Sequence, residues 1–147
     1  MKKVLSITML LLGIMLVLSC ASKPITTQEE ADAAFRKVYN MFRGDLILEG
    51  AETYEVVSGD TLSAIAREKY PSGYYYPLIM LASSDVVVDP DLIDPGMELT
   101  VPDLQKNLDN ARAKGRLKNF LIEIAKIEER RDRADTAKGI RDLSASL

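Results

Sequence analysis

The chain has 147 residues, Lys+Arg 19 against Asp+Glu 22, a formal net charge of -3, one Cys, no His and no Trp. That length holds one domain, or a small module with helical appendages, and not two full-sized cores. Without His and with a single Cys, no Ser-His or Cys-His catalytic pair and no zinc site of His or clustered Cys is available. Any disulfide is intermolecular, and the charge balance gives no reason to expect a nucleic-acid partner.

The N-terminus reads as an address. Lys2 and Lys3 precede a chargeless run from Val4 to Ser19 rich in Leu, Ile and Met, and the small residue Ser19 stands directly before Cys20. This is the order of a bacterial secretory signal. A retained transmembrane anchor is the alternative, because the apolar run lies at the lower edge of what spans a bilayer; ordinary secretion is another. The segment Val17-Leu18-Ser19-Cys20 resembles the lipobox of bacterial lipoproteins. That resemblance implies a signal peptide over 1–19, cleavage before Cys20, a diacylglycerol on its thiol and an acyl chain on the new amine. Several acyl chains give the stable attachment that one does not. An acylated thiol also removes the liability of an unpaired one in an exported protein. The 147 residues less the 19 of the leader leave a mature chain of 128.

Residues 20–26 form a short polar tether with one proline. Thr27 and Glu30 then have capping-box spacing, and Ala31, Ala34, Phe35, Val38, Tyr39 and Phe42 recur at intervals of three and four. The spacing predicts an amphipathic helix from about residue 27 to Gly44, followed by a linker to residue 52.

Residues 53–102 are built differently. A strand-like TYEVV opens the stretch and MELTV closes it, with Pro71, Gly73, Pro90, Pro95 and Gly96 between. Tyr54 and Val56 alternate with Glu55, Ser58-Gly59 marks a turn, and Asp60 is placed to cap a helix starting at Thr61. Leu62, Ile65 and Ala66 share one face of that helix. Tyr74 to Ala82 reads as a second helix, with Pro77 tolerable in its first turn. The order is strand, helix, helix, strand. Asp60, Asp85, Asp89, Asp91 and Asp94 lack EF-hand spacing and sit beside Gly and Pro, where turn and cap duty explains them. No catalytic constellation is visible, and no cofactor or metal is expected.

From Asp103 the chain is proline-free and highly charged. Leu104, Leu108 and Ala111 form one stripe, and Leu117, Leu121 and Ile124 continue it beyond Gly115. The pattern predicts one long helix weakened at Lys114-Gly115, or two helices turning there. Glu128 to Arg133 shows no core face and is expected to be solvated, with fraying from Lys138 onward. Charge is divided unevenly. Residues 53–102 hold two basic and eight acidic side chains, net -6; residues 103–147 hold eleven basic and eight acidic, net +3.

The run Tyr54-Glu55-Val56-Val57-Ser58-Gly59-Asp60-Thr61-Leu62-Ser63-Ala64-Ile65-Ala66 closely resembles the opening of a LysM domain, and residues Pro90 to Pro102 (PDLIDPGMELTVP) resemble its closing stretch in the same register. The resemblance covers residues 53–102. It implies an α+β module of βααβ order, with two helices on a two-stranded antiparallel sheet, here flanked by amphipathic helices. It also implies binding of N-acetylglucosamine-containing glycan, in bacteria usually peptidoglycan. The groove would lie between Gly59, Asp60, Thr61 and Leu62 on one wall and Pro90, Asp91, Leu92 and Ile93 on the other. Leu62, Ile65, Ile79, Leu92, Ile93, Leu99 and Val101 are core candidates first. Two positions depart from the family: Ser83-Ser84 stands where Asn is common, and Tyr76 where an aromatic, often Trp, is usual.

Together these readings describe a non-catalytic, lipid-anchored, peptidoglycan-binding protein facing the periplasm, on an inner or outer membrane that the sequence does not choose. The alternatives are an envelope scaffold or assembly protein whose residues 103–147 contact a protein partner, or a non-catalytic regulator of a cell-wall hydrolase.

Overall fold

The structure is a computed structural model and describes residues 22–147. The expected leader and the lipidation site Cys20 lie outside the described residues. Helix α1 spans Gln28–Phe42. Thr27 caps it, its side chain accepting from the Glu30 N–H, while the Glu30 carboxylate reaches back to the Thr26 N–H at 2.9 Å. The capping box is therefore present, with its return bond one residue earlier than the usual pattern. A single 3-10 turn, Arg43–Asp45, ends the helix.

Strands β1 (Glu52–Glu55) and β2 (Glu98–Val101) pair antiparallel with Tyr54 opposite Leu99. Between them lie helix α2 (Leu62–Lys69), a 3-10 turn (Gly73–Tyr75) and helix α3 (Tyr76–Ala82). The βααβ order is as expected, and Pro77 sits in the first turn of α3. One local detail differs. Thr61, not Asp60, caps α2, its hydroxyl accepting from the Ala64 N–H at 3.2 Å. Asp60 instead closes the preceding turn, taking the Val57 N–H and the Tyr54 hydroxyl at 2.9 Å each. Gly59 holds φ +95 in that turn, a conformation costly for any residue with a Cβ.

Both departures from the family pattern are accommodated. Ser83 is buried, and its hydroxyl accepts from the Thr100 N–H at 2.9 Å, pinning the end of α3 to β2. Tyr76 is buried too, its hydroxyl donating to Glu128 at 3.1 Å.

The C-terminal third corrects the sequence reading. It forms α4 (Leu104–Asp109), α5 (Ala111–Arg130) and α6 (Ala134–Ser146). The chain does not turn at Gly115, which lies inside α5 with open space where a Cβ would be. The first break is at Asn110, whose side chain accepts from the N–H groups of Arg112 and Ala113 and so starts a new helix. The second is at Arg131–Arg133. There Asp132 takes φ 62, and the N–H groups of Asp132 and Arg133 bond back to Glu129 and Glu128. This is a Schellman stop with Asp in the place glycine usually holds. Nor does the chain fray after Lys138: Ala137, Ile140 and Ser144 of α6 are buried.

One core runs through all of it. Leu62, Ile65, Leu78, Ile79, Met80 and Leu99 of the βααβ unit are fully buried together with Phe35 of α1, Leu117, Phe120, Leu121 and Ile124 of α5, and Ile140 of α6. Phe120 meets the rings of Tyr39 and Phe42 at 6.4 and 5.6 Å between centroids, which joins α1 to α5. Asn107 supplies a polar tie: its amide donates to Ile47 and accepts from the Ile47 N–H, both at 2.9 Å.

Candidate functional site

A groove of about 720 Å³ opens where the β1–α2 loop faces the segment leading to β2. Asp60, Thr61, Leu62 and Ser63 line one side; Pro90, Asp91 and Ile93 line the other. Six of the eight residues expected from sequence thus border a single concavity. Gly59 shapes the adjoining turn and Leu92 lies beside the wall; neither lines the groove itself. Leu62 is 1% exposed and belongs to the core, whereas Leu92 is 52% exposed and free to meet a ligand.

Thr61 is occupied as a cap and Asp60 as a turn closer, so this wall offers mainly a fixed loop backbone. A rigid backbone with adjacent apolar surface suits a ligand that carries both amide and apolar groups.

The opposite wall is held from outside the βααβ unit. Asp89, fully buried, accepts from Arg131 and from Gln28 of α1, each at 2.8 Å, and from the Asp91 N–H at 2.9 Å. Asp91 accepts from Arg131 at 2.9 Å and also pairs with Arg133. The Arg133 hydrogen bond, reinforced by Arg131, holds the Asp91 carboxyl below the usual carboxylate range. Glu128 lies behind them with no solvent exposure, and burial pushes its carboxyl up against the pull of both arginines. Glu128 and the head of Arg131 are therefore withdrawn from solvent, against the sequence reading, while Glu129 and Asp132 of the same run are exposed as expected. Arg131 and Arg133, with Glu128 behind them, are the brace of the groove wall.

Sequence reasoning missed the remaining boundary. Ser72, Gly73, Tyr74 and Arg67 form the floor and far end, and Arg133 and Thr136, at the start of α6, complete a third side. The available signal was the division of charge: an acidic module at net -6 followed by a segment at net +3. Gly73 marks a close approach, since a Cβ there would stand 2.8 Å from the Ser63 carbonyl oxygen. Gly139 of α6 marks another, because a Cβ would fall within the ring of Tyr74.

Among the described residues, no group of three or more His, Cys, Asp or Glu is placed to hold a metal ion. No helix among them is long and apolar enough to cross a membrane.

The LysM domain family model matches residues 54–102, from the second half of β1 through α2, α3 and the two facing loops to the end of β2. Residues 54–102 are a LysM domain. Over 53 residues the chain is 40% identical to the potassium binding protein Kbp of Escherichia coli O6:H1, covering 36% of each chain. Over 54 residues it is 41% identical to the esterase Rv1288 of Mycobacterium tuberculosis, covering 37% of this chain and 11% of that one. The chain thus spans about a third of one relative and about a tenth of the other. No solved structure matches it significantly. The LysM family suggests a generic peptidoglycan- or glycan-binding capacity for residues 54–102.

Proposed function

We propose that this is a lipid-anchored glycan-binding protein of the bacterial cell envelope. It attaches through Cys20, faces the periplasm and recognises N-acetylglucosamine-containing glycan, above all peptidoglycan, without acting on it. The observation that carries this reading is the groove between Asp60–Ser63 and Pro90–Ile93 within the LysM domain. Backbone groups of the Asp60–Ser63 loop meet the acetamide, and the Pro90–Ile93 segment with exposed Leu92 covers the apolar sugar face. A single groove binds modestly. Anchoring beside the wall raises its effective concentration there.

Residues 103–147 act in this reading as a structural brace rather than a protein-docking arm. None of the exposed large apolar side chains belongs to them.

The test is co-sedimentation of the mature chain with purified sacculi. Wild type pellets with murein, and Leu92→Asp, altered at an exposed position, pellets less with unchanged circular dichroism. A folded wild type that stays in the supernatant contradicts the proposal. Metabolic labelling with an alkyne fatty acid checks the anchor: the full-length chain takes up label and Cys20→Ser does not.

A further inference from the structure

Four charged side chains line the groove: Asp60, Arg67, Asp91 and Arg133. Asp60 is engaged by a hydroxyl and a backbone N–H, and Asp91 and Arg133 are engaged with each other. Arg67 has no hydrogen-bond or ion-pair partner among the described residues, although it projects from α2 toward the groove floor. Its Nη2 packs 3.5 Å from where a Cβ on Gly73 would sit. Next to Gly73, the ring of Tyr74 rests on Gly139 of α6 and is 42% exposed along the groove.

An unpaired guanidinium beside a backed aromatic ring has a definite chemistry. The ring offers an apolar face to a sugar, and the guanidinium a two-pronged donor to a carboxylate. A neutral glycan would leave that donor without a partner in the bound state, whereas an acid next to the sugar would fill it.

We propose that the groove selects glycan bearing a carboxylate beside the sugar ring, with Arg67 holding the acid and Tyr74 the ring. This rests on the glycan reading above and narrows its ligand class. The carboxylate has two sources in peptidoglycan, the lactyl group of muramic acid and the acids of the stem peptide. Either explains how a net-acidic module meets an anionic polymer, since the acid pairs locally with the one uncommitted cation of the groove.

Titration calorimetry on the mature chain with three ligands of equal sugar number decides it. They are a chitin oligomer, a peptide-free N-acetylglucosamine–N-acetylmuramic acid oligomer, and the same oligomer carrying stem peptides. At least one acidic ligand binds about tenfold tighter than chitin, the size of one charge-assisted pair. The ligand that shows the advantage identifies the source of the acid. Arg67→Gln abolishes the advantage, costing the acidic ligand about tenfold more affinity than it costs chitin, while Tyr74→Ala weakens every ligand that binds. Equal or weaker binding of both acidic ligands, or an Arg67→Gln loss shared equally by chitin, overturns the proposal. If chitin and the acidic ligands all fail to bind, the glycan reading itself falls.

Discussion

Asp89 and Glu128 are carboxylates with no solvent exposure, and Arg131 is the cation within reach of both, at 2.8 and 3.6 Å. Arg131 also lies 5.3 Å from the centroid of Phe35, so its head closes the core from above. Replacing Arg131 with Ala leaves two buried acids short of their counter-charge, and we expect a loss of about 3–5 kcal/mol in urea unfolding. Arg133→Ala, whose site is more open, costs less. A chain that tolerated Arg131→Ala within experimental error would contradict the bracing role. None of this was legible residue by residue, because Glu128 to Arg133 carries no apolar periodicity. A run of charges looks solvated unless its partners, 40 residues away in the chain, are known.

Tyrosines give the residue scale a pH signature. Tyr39 donates to the Val88 carbonyl at 2.7 Å, Tyr70 to the Pro102 carbonyl at 2.9 Å, and Tyr76 to Glu128. Burial raises all three hydroxyls above the ordinary value of 10.0. A group whose folded value is raised contributes its full stability below the unfolded value and loses it as pH climbs. Stability therefore holds to about pH 10 and then falls by about 4 kcal/mol per further unit, at about 1.4 kcal/mol for each tyrosine. Denaturant midpoints measured from pH 8 to 11 check this. An unchanged midpoint at pH 11 would show that the three rings are not held protonated.

Helix ends differ in how openly the sequence marks them. The start of α1, the proline in α3 and both strands follow from local chemistry that any reader of the sequence can find: Thr27, Pro77, and alternation around Tyr54 and Leu99. The breaks at 110 and 131–133 are harder to see. Asn110 ends one helix and caps the next, and Asp132 occupies a left-handed position that signals itself only when filled by glycine. Gly115 draws attention yet is an ordinary exposed helix residue. Two substitutions follow. Gly115→Ala stabilises the chain by about 0.8–1 kcal/mol, since α5 is helical there and nothing obstructs a Cβ. Asp132→Gly stabilises it by up to about 1 kcal/mol by removing the left-handed cost. Thermal melts measure both, and destabilisation by Gly115→Ala would mean the chain does turn where the sequence suggested.

At the scale of the molecule, the LysM domain and its flanks share one core. Phe120 of α5 is completely buried against rings of α1, so Phe120→Ala costs about 3–5 kcal/mol even though it lies outside residues 54–102. The charge division visible in the sequence acquires a physical meaning at this scale. Arg131 and Arg133 of the basic segment meet Asp89 and Asp91 of the acidic one, and the meeting point is a groove wall. The βααβ unit and six of the eight groove positions were readable because they rest on short local motifs. The third side of the groove, from Arg133 and Thr136, was not, because it depends on how α6 folds back.

Glycan binding, as proposed, belongs to this composite groove. Backbone amide NMR of the mature chain, titrated with a soluble muramyl oligomer, tests it most directly. The expected shifts are concentrated in Asp60–Ser63, Asp91–Ile93 and Gly73–Tyr74, and extend to Arg133 and Thr136 across the groove. Shifts confined to other faces of the LysM domain, or a spectrum unchanged at saturating oligomer, would contradict it.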